Sequence, residues 1–170
     1  MSDNRRDPFD RIVAVIRRGI EAIFPSANAV AAQSQSVALR QACCGLLMEV
    51  ARLGSVDSLP KREAVARTLI EMFGMPSDET AGLMDSAGAE ANRYTSYYEP
   101  VALINRLWSP SRKARFVEQL WRVAMADGRL DVYEEHLVRK LADLLYVPHT
   151  EFILAKHRAM NGSPLSRTPR

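Results

Sequence analysis

The apolar residues of this chain recur at spacings of three and four almost from end to end, and no segment alternates apolar and polar as a strand does. That periodicity restricts the fold to helices packed on helices. Phe9, Ile12, Val13, Ile16, Ile20, Ile23 and Phe24 form a first stripe, which Pro25 ends. Residues 26–36 are small and polar and read as a linker. The spacing predicts a second helix over roughly 37–53, with Leu39, Cys43, Leu46, Leu47 and Val50 inward. A third covers about 59–73, with Val65, Leu69, Met72 and Phe73 as its buried face. Ser77-Asp78-Glu79 opens a fourth, with Ser77 as N-cap. Tyr94, Tyr97 and Tyr98 fall in a connection, and a short fifth helix runs through Leu107. Ser109-Pro110 is a cap followed by proline at the first helical position, which starts the sixth. The seventh covers about 132–145, and Pro148-His149-Thr150 starts the eighth.

A chain of 170 residues suffices for one domain that buries about 70% of its unfolded surface. Hydrophobic residues at 47% and charged residues at 25% are an ordinary globular balance, so folding requires neither disulfide nor metal. A net charge of +3 is too small to point to nucleic acid. No run reaches the roughly 18 apolar residues that span a bilayer. Arg17-Arg18 breaks the N-terminal apolar stretch, so no signal peptide is read and a cytoplasmic location is expected. Cys43 and Cys44 are adjacent, point in different directions on a helix, and read as reduced core residues. His136, His149 and His157 lack the close spacing of a zinc site. No phosphate loop, nucleophile elbow or Cys/His pairing is present. A non-enzymatic protein with no catalytic residues and no required cofactor is therefore expected.

An internal repeat sharpens the outline. Val50 to Asp57 lines up with Val123 to Asp131 if one residue is missing before Gly54, and Phe73-Gly74-Met75-Pro76 lines up with Leu145-Tyr146-Val147-Pro148. Two copies are too few for a solenoid. The expected fold is all-α, a compact bundle of about seven to eight helices in two pseudo-symmetric repeats. Residues 1–36 would be an amphipathic helix with its linker, 37–159 the helical domain, and 160–170 a flexible tail.

The second copy carries the most informative residues. One helix ends on Ala126-Asp127-Gly128, and the next begins at Asp131 with Glu134 and Glu135 in its first turn. Capping explains most of this. Gly128 suits the left-handed residue that ends a helix. Leu130 can fold back on the apolar face. Asp131 and Glu134 have the spacing of a capping box, and Glu135 favours the helix dipole by about 0.3–1 kcal/mol. Asp127 is different, because an acid at the negative end of a helix is unfavourable. It points to a cation or a basic partner that compensates it. Hard cations such as calcium or magnesium take oxygen ligands, although the twelve-residue EF-hand pattern is absent.

These residues resemble the tellurite-resistance TerB family. The similarity rests on Leu120 to Glu135, continues through Leu137-Val138-Arg139-Lys140-Leu141-Ala142-Asp143-Leu144-Leu145, and closes with Phe152 to Arg158. It covers about residues 37–159. The resemblance implies an all-helical, pseudo-twofold domain, acids from both repeats near one another as a cation site, and an association with metal or chemical stress at the membrane. It implies no catalytic activity. Asp127, Asp131, Glu134 and Glu135 carry over as metal ligands. The first repeat departs from the pattern. Leu53 stands where an acid would precede Gly54, Asp57 remains, Glu63 replaces the following Glu after an insertion containing Pro60, and Glu49 fits one turn before the helix end. A weakly bound divalent cation, or a basic partner on an acidic patch, is expected rather than a tight cage.

Two further features bear on partners. The 9–24 stripe carries Arg11, Arg17 and Arg18 beside its apolar face, so it is either core or an interfacial helix that anchors a membrane-peripheral adaptor. Arg106, Arg112, Lys113 and Arg115 surround Leu107-Trp108, as a solvated helix start or a docking surface. A protein partner, membrane-associated or not, is expected, and a homodimer stays open.

Overall fold

The computed structural model describes residues 27–54, 58–90 and 97–162. The stripe at 9–24, Asp57, Tyr94 and the tail from 163 onward lie outside them. The described residues form seven helices: α1 Ala27–Gly54, α2 Leu59–Phe73, α3 Ser77–Glu90, α4 Tyr98–Leu107, α5 Pro110–Ala124, α6 Val132–Leu144 and α7 His149–Asn161. No strand occurs among them. None of these helices is long and apolar enough to cross a membrane. The chain divides into two units, Met1–Ala38 and Leu39–Arg170.

The segment expected as a linker is helical from Ala27 onward. Small size was the misleading signal. Ala27, Ala29, Ala31 and Ala32 are strong helix formers, and no Gly or Pro interrupts the chain between Pro25 and Gly45. In the first unit residues 29–35 are exposed, and Ser34 Oγ donates to the carbonyl of Val30 at 3.0 Å.

In the second unit α1 buries Leu39, Cys43, Cys44, Leu46, Leu47, Met48, Val50 and Ala51, which span about 200° of its circumference. An apolar face that wide suits a helix with neighbours on more than one side. Helix α5 is two-faced. It buries Phe116, Val117, Leu120, Trp121, Val123 and Ala124, and packs against α2, α6 and α7. Thr68 Oγ1 of α2 donates to Gln119 Oε1 of α5 at 3.3 Å, which satisfies a buried polar pair between the two helices. Trp108 closes one end of the core against Phe73 and Phe116.

The helix limits follow from local chemistry. Ser109 caps α5 with Pro110 behind it, as the sequence predicts. Helix α3 begins at Ser77 itself, one residue earlier than expected, because the carbonyl of Pro76 accepts from Thr80 N–H at 3.0 Å and from Thr80 Oγ1 at 2.8 Å. The turns after α2 and α6 both use a left-handed residue, Gly74 at φ 64° and Tyr146 at φ 56°.

Candidate functional site

Helix α5 runs out at Ala124, and the backbone closes the turn through Ala126 N–H to Val123 and Gly128 N–H to Met125. Gly128 takes φ 78°, the left-handed geometry that its position requires. Leu130 packs against the core, which fixes the direction in which the chain re-enters. Asp131 then caps α6. Its Oδ1 accepts from Tyr133 N–H at 2.7 Å, and Glu134 Oε2 accepts from Asp131 N–H at 3.1 Å, completing a capping box.

The cation that Asp127 calls for belongs to the chain itself. Lys61, on α2, is 1% exposed. Its Nζ lies 3.1 Å from Asp127 Oδ2 and forms a close, charge-assisted hydrogen bond with Glu134 Oε1. Glu134 is completely buried. Both of its oxygens are in use, one by Lys61 and one by the N-cap N–H. Asp127 is equally engaged, since its other oxygen accepts from Arg129 N–H at 3.1 Å. Burial alone would lower the pKa of the Lys61 ammonium, but its hydrogen bonds to Glu134 and Asp127, with their charges, outweigh that and raise it above the ordinary lysine value.

The remaining acids sit differently. Glu135 is half-buried and pairs with Lys156 at 3.0 Å and Arg139 at 3.7 Å. Asp131 engages backbone N–H, and no cation pairs with it among the described residues. Glu63 is exposed, two residues beyond Lys61 and so about 200° around the helix from it. Glu49 is half-buried, and the Tyr97 phenol is pushed up by burial and by the Glu49 charge. Of the first copy's acids, Asp57 lies outside the described residues, and neither Glu49 nor Glu63 pairs with Lys61. Among the described residues no group of three or more His, Cys, Asp or Glu side chains is placed to hold a metal ion. With both Asp127 oxygens and both Glu134 oxygens engaged, and an ammonium between the two carboxylates, these residues do not fit a divalent cage.

Lys61 was not among the residues that the sequence singled out. Helix position identifies it. Lys61 is the third residue of α2 and Glu134 the third of α6. A lysine at the positive end of a helix was the available signal, since that placement is unfavourable without a nearby acid.

Cys43 and Cys44 are buried and unbridged. Arg112 lies over the Trp108 ring at 4.8 Å, and Lys113 donates to Asn105 Oδ1 at 3.0 Å. His136, His149 and His157 are exposed.

A helix, an acidic capped turn and a second helix, held to a neighbouring helix by one buried lysine, define a small all-helical module. The chain belongs to the TerB family: the family model described as tellurite resistance protein TerB matches residues 40–157. It is in general terms a tellurite-resistance-type module. No curated protein and no solved structure matches it.

Proposed function

We propose that this is a non-enzymatic stress-response module that works by contact, with the α5–α6 turn receiving a basic side chain of a protein partner. The supporting observation is what the turn presents to solvent. Asp131, which has no cation partner among the described residues, is followed by Val132 and Tyr133, which are 67% and 72% exposed. An anion beside an aromatic ring suits a lysine or arginine, which pairs with the carboxylate and lies over the ring. Divalent cations would bind weakly here, because Glu135 and one oxygen of Asp131 are already engaged.

Titration with a short lysine- and leucine-containing peptide, followed by amide NMR shifts, tests the reading. Saturable, salt-sensitive shifts confined to about residues 129–135 are expected, with their loss in Asp131→Asn and Tyr133→Ala. Asn remains a good N-cap, so the first variant keeps the fold. Absence of shifts at millimolar peptide, or shifts that survive Asp131→Asn, would sink the proposal.

A further inference from the structure

The most unusual group outside that docking edge is the buried ammonium of Lys61. It is 1% exposed, and its partner Glu134 is 0% exposed. Three facts converge on it. Lys61 and Glu134 hold the same third position of helices α2 and α6, so one helix start meets the other through side chains of opposite sign. The ammonium touches two carboxylates that the chain otherwise leaves side by side, Asp127 and Glu134. The remaining oxygen of each carboxylate is bound by a backbone N–H of the turn, from Arg129 and Asp131. Two carboxylates facing one point repel unless a positive charge stands between them.

We infer that Lys61 is a built-in counter-ion that makes the acidic turn independent of metal, and that it determines whether this turn can take a divalent cation. The inference shares the turn with the docking proposal but does not depend on a partner being found. A tethered ammonium sits at an effective concentration that a dilute metal must overcome, as for any intramolecular ligand. A divalent ion would also have to displace Lys61 into an apolar surround, where an unpaired ammonium is costly. The turn is thus held permanently in its bound shape, and chelator or added metal leaves it unchanged. Replacing Lys61 by an acid at the same helix position places a third carboxylate beside Asp127 and Glu134. That is an all-oxygen donor set suited to manganese or calcium.

The experiment compares the native chain with Lys61→Glu and Lys61→Gln. Manganese binding is read by electron paramagnetic resonance of the free ion, and thermal unfolding is measured with EDTA and with millimolar manganese or calcium. The native chain is expected to bind no manganese at micromolar concentration and to melt at the same temperature in all buffers. Lys61→Glu should bind manganese at least tenfold more tightly than the native chain and recover stability when metal is added. Lys61→Gln, which can still donate to Glu134, should fold in EDTA and gain a smaller affinity. If the native chain binds manganese as tightly as the variants, or if neither variant gains affinity, the inference is overturned. Should Lys61→Glu fail to fold, Lys61→Gln alone decides by the same criterion. The basic-peptide titration reads a different edge of the turn, so the two proposals fail independently.

Discussion

Lys61 and Asp127 each stand at the unfavourable end of a helix, and they correct one another across 3.1 Å. Lys61 lies in the first turn of α2, where the backbone dipole is positive, and Asp127 lies just past the end of α5, where it is negative. Either residue alone would weaken its helix. Together with Glu134 they tie α2 to the α5–α6 turn. The same contact that neutralises the charges therefore also fixes the packing of α2 on α5.

Removing the ammonium should expose how strongly this tie matters. In Lys61→Met the side chain still fills the space, but Glu134 is left as a buried charge without a counter-charge. Breaking a buried pair in this way costs about 3–5 kcal/mol. Pairing the change with Glu134→Gln removes the orphan charge and keeps an acceptor for Asp131 N–H, so the double variant should return to within about 1–2 kcal/mol of the native chain. Urea unfolding measures all three proteins. A single variant within about 1 kcal/mol of native would show that Glu134 is not held by Lys61.

Much of the fold was legible because it rests on local rules. The limits of α2, the Ser109 cap and the Asp131–Glu134 capping box each depend on residues within four positions of one another. Lys61 was not legible for the opposite reason. Its partners lie in a different part of the chain, and between Pro60 and Arg62 it looks like an ordinary solvated lysine. The sequence did show Asp127 as an acid in need of a cation, and so posed the question that Lys61 answers. The acids sought in the first copy include Glu63, which is exposed, and Glu49, which is half-buried, and neither pairs with Lys61. The missing linker has a similar lesson. Small residues signal a loop only when glycine or proline accompanies them, and 27–36 has neither.

Alkaline pH should destabilise the protein through its buried thiols before it reaches the lysine. Burial raises the Cys43 thiol well above 9.0, and it pushes Cys44 up to about 12. A folded pKa above the unfolded one means that the contribution is complete below pH 9.0 and is lost as pH rises toward the folded value. Each such thiol then costs about 1.4 kcal/mol per pH unit above that point. Lys61 has the same sign, with its contribution intact below 10.5 and lost as pH climbs through its raised value. Chemical unfolding at a series of pH values from 8 to 11 should show a falling stability, and Cys44→Ala should reduce the slope. An unchanged slope in that variant would assign the alkaline loss to other groups.

The two left-handed turns provide a matched comparison inside one chain. After α2 the position is Gly74 at φ 64°, with N–H bonded to Ile70 at 2.8 Å. After α6 it is Tyr146 at φ 56°, in a complete terminal motif: Tyr146 N–H bonds to Asp143 and Val147 N–H bonds to Ala142, each at 3.0 Å. An L side chain in this region costs about 1–2 kcal/mol, which glycine escapes. The Tyr146 ring is 78% exposed, so it recovers little by burial. Its contact with Lys113, 5.7 Å from the ring centre, is worth about 0.5–1 kcal/mol at an exposed site. The strain is the larger effect. Tyr146→Gly should therefore stabilise the protein by about 0.5–1 kcal/mol. Gly74→Ala should do the reverse and cost about 1 kcal/mol. An added Cβ at Gly74 meets nothing within 4 Å, so that loss would be backbone strain alone. Thermal and urea unfolding of the two variants read the opposite signs directly. A destabilised Tyr146→Gly would mean that the tyrosine ring holds the α6–α7 turn through contacts that outweigh its strained backbone.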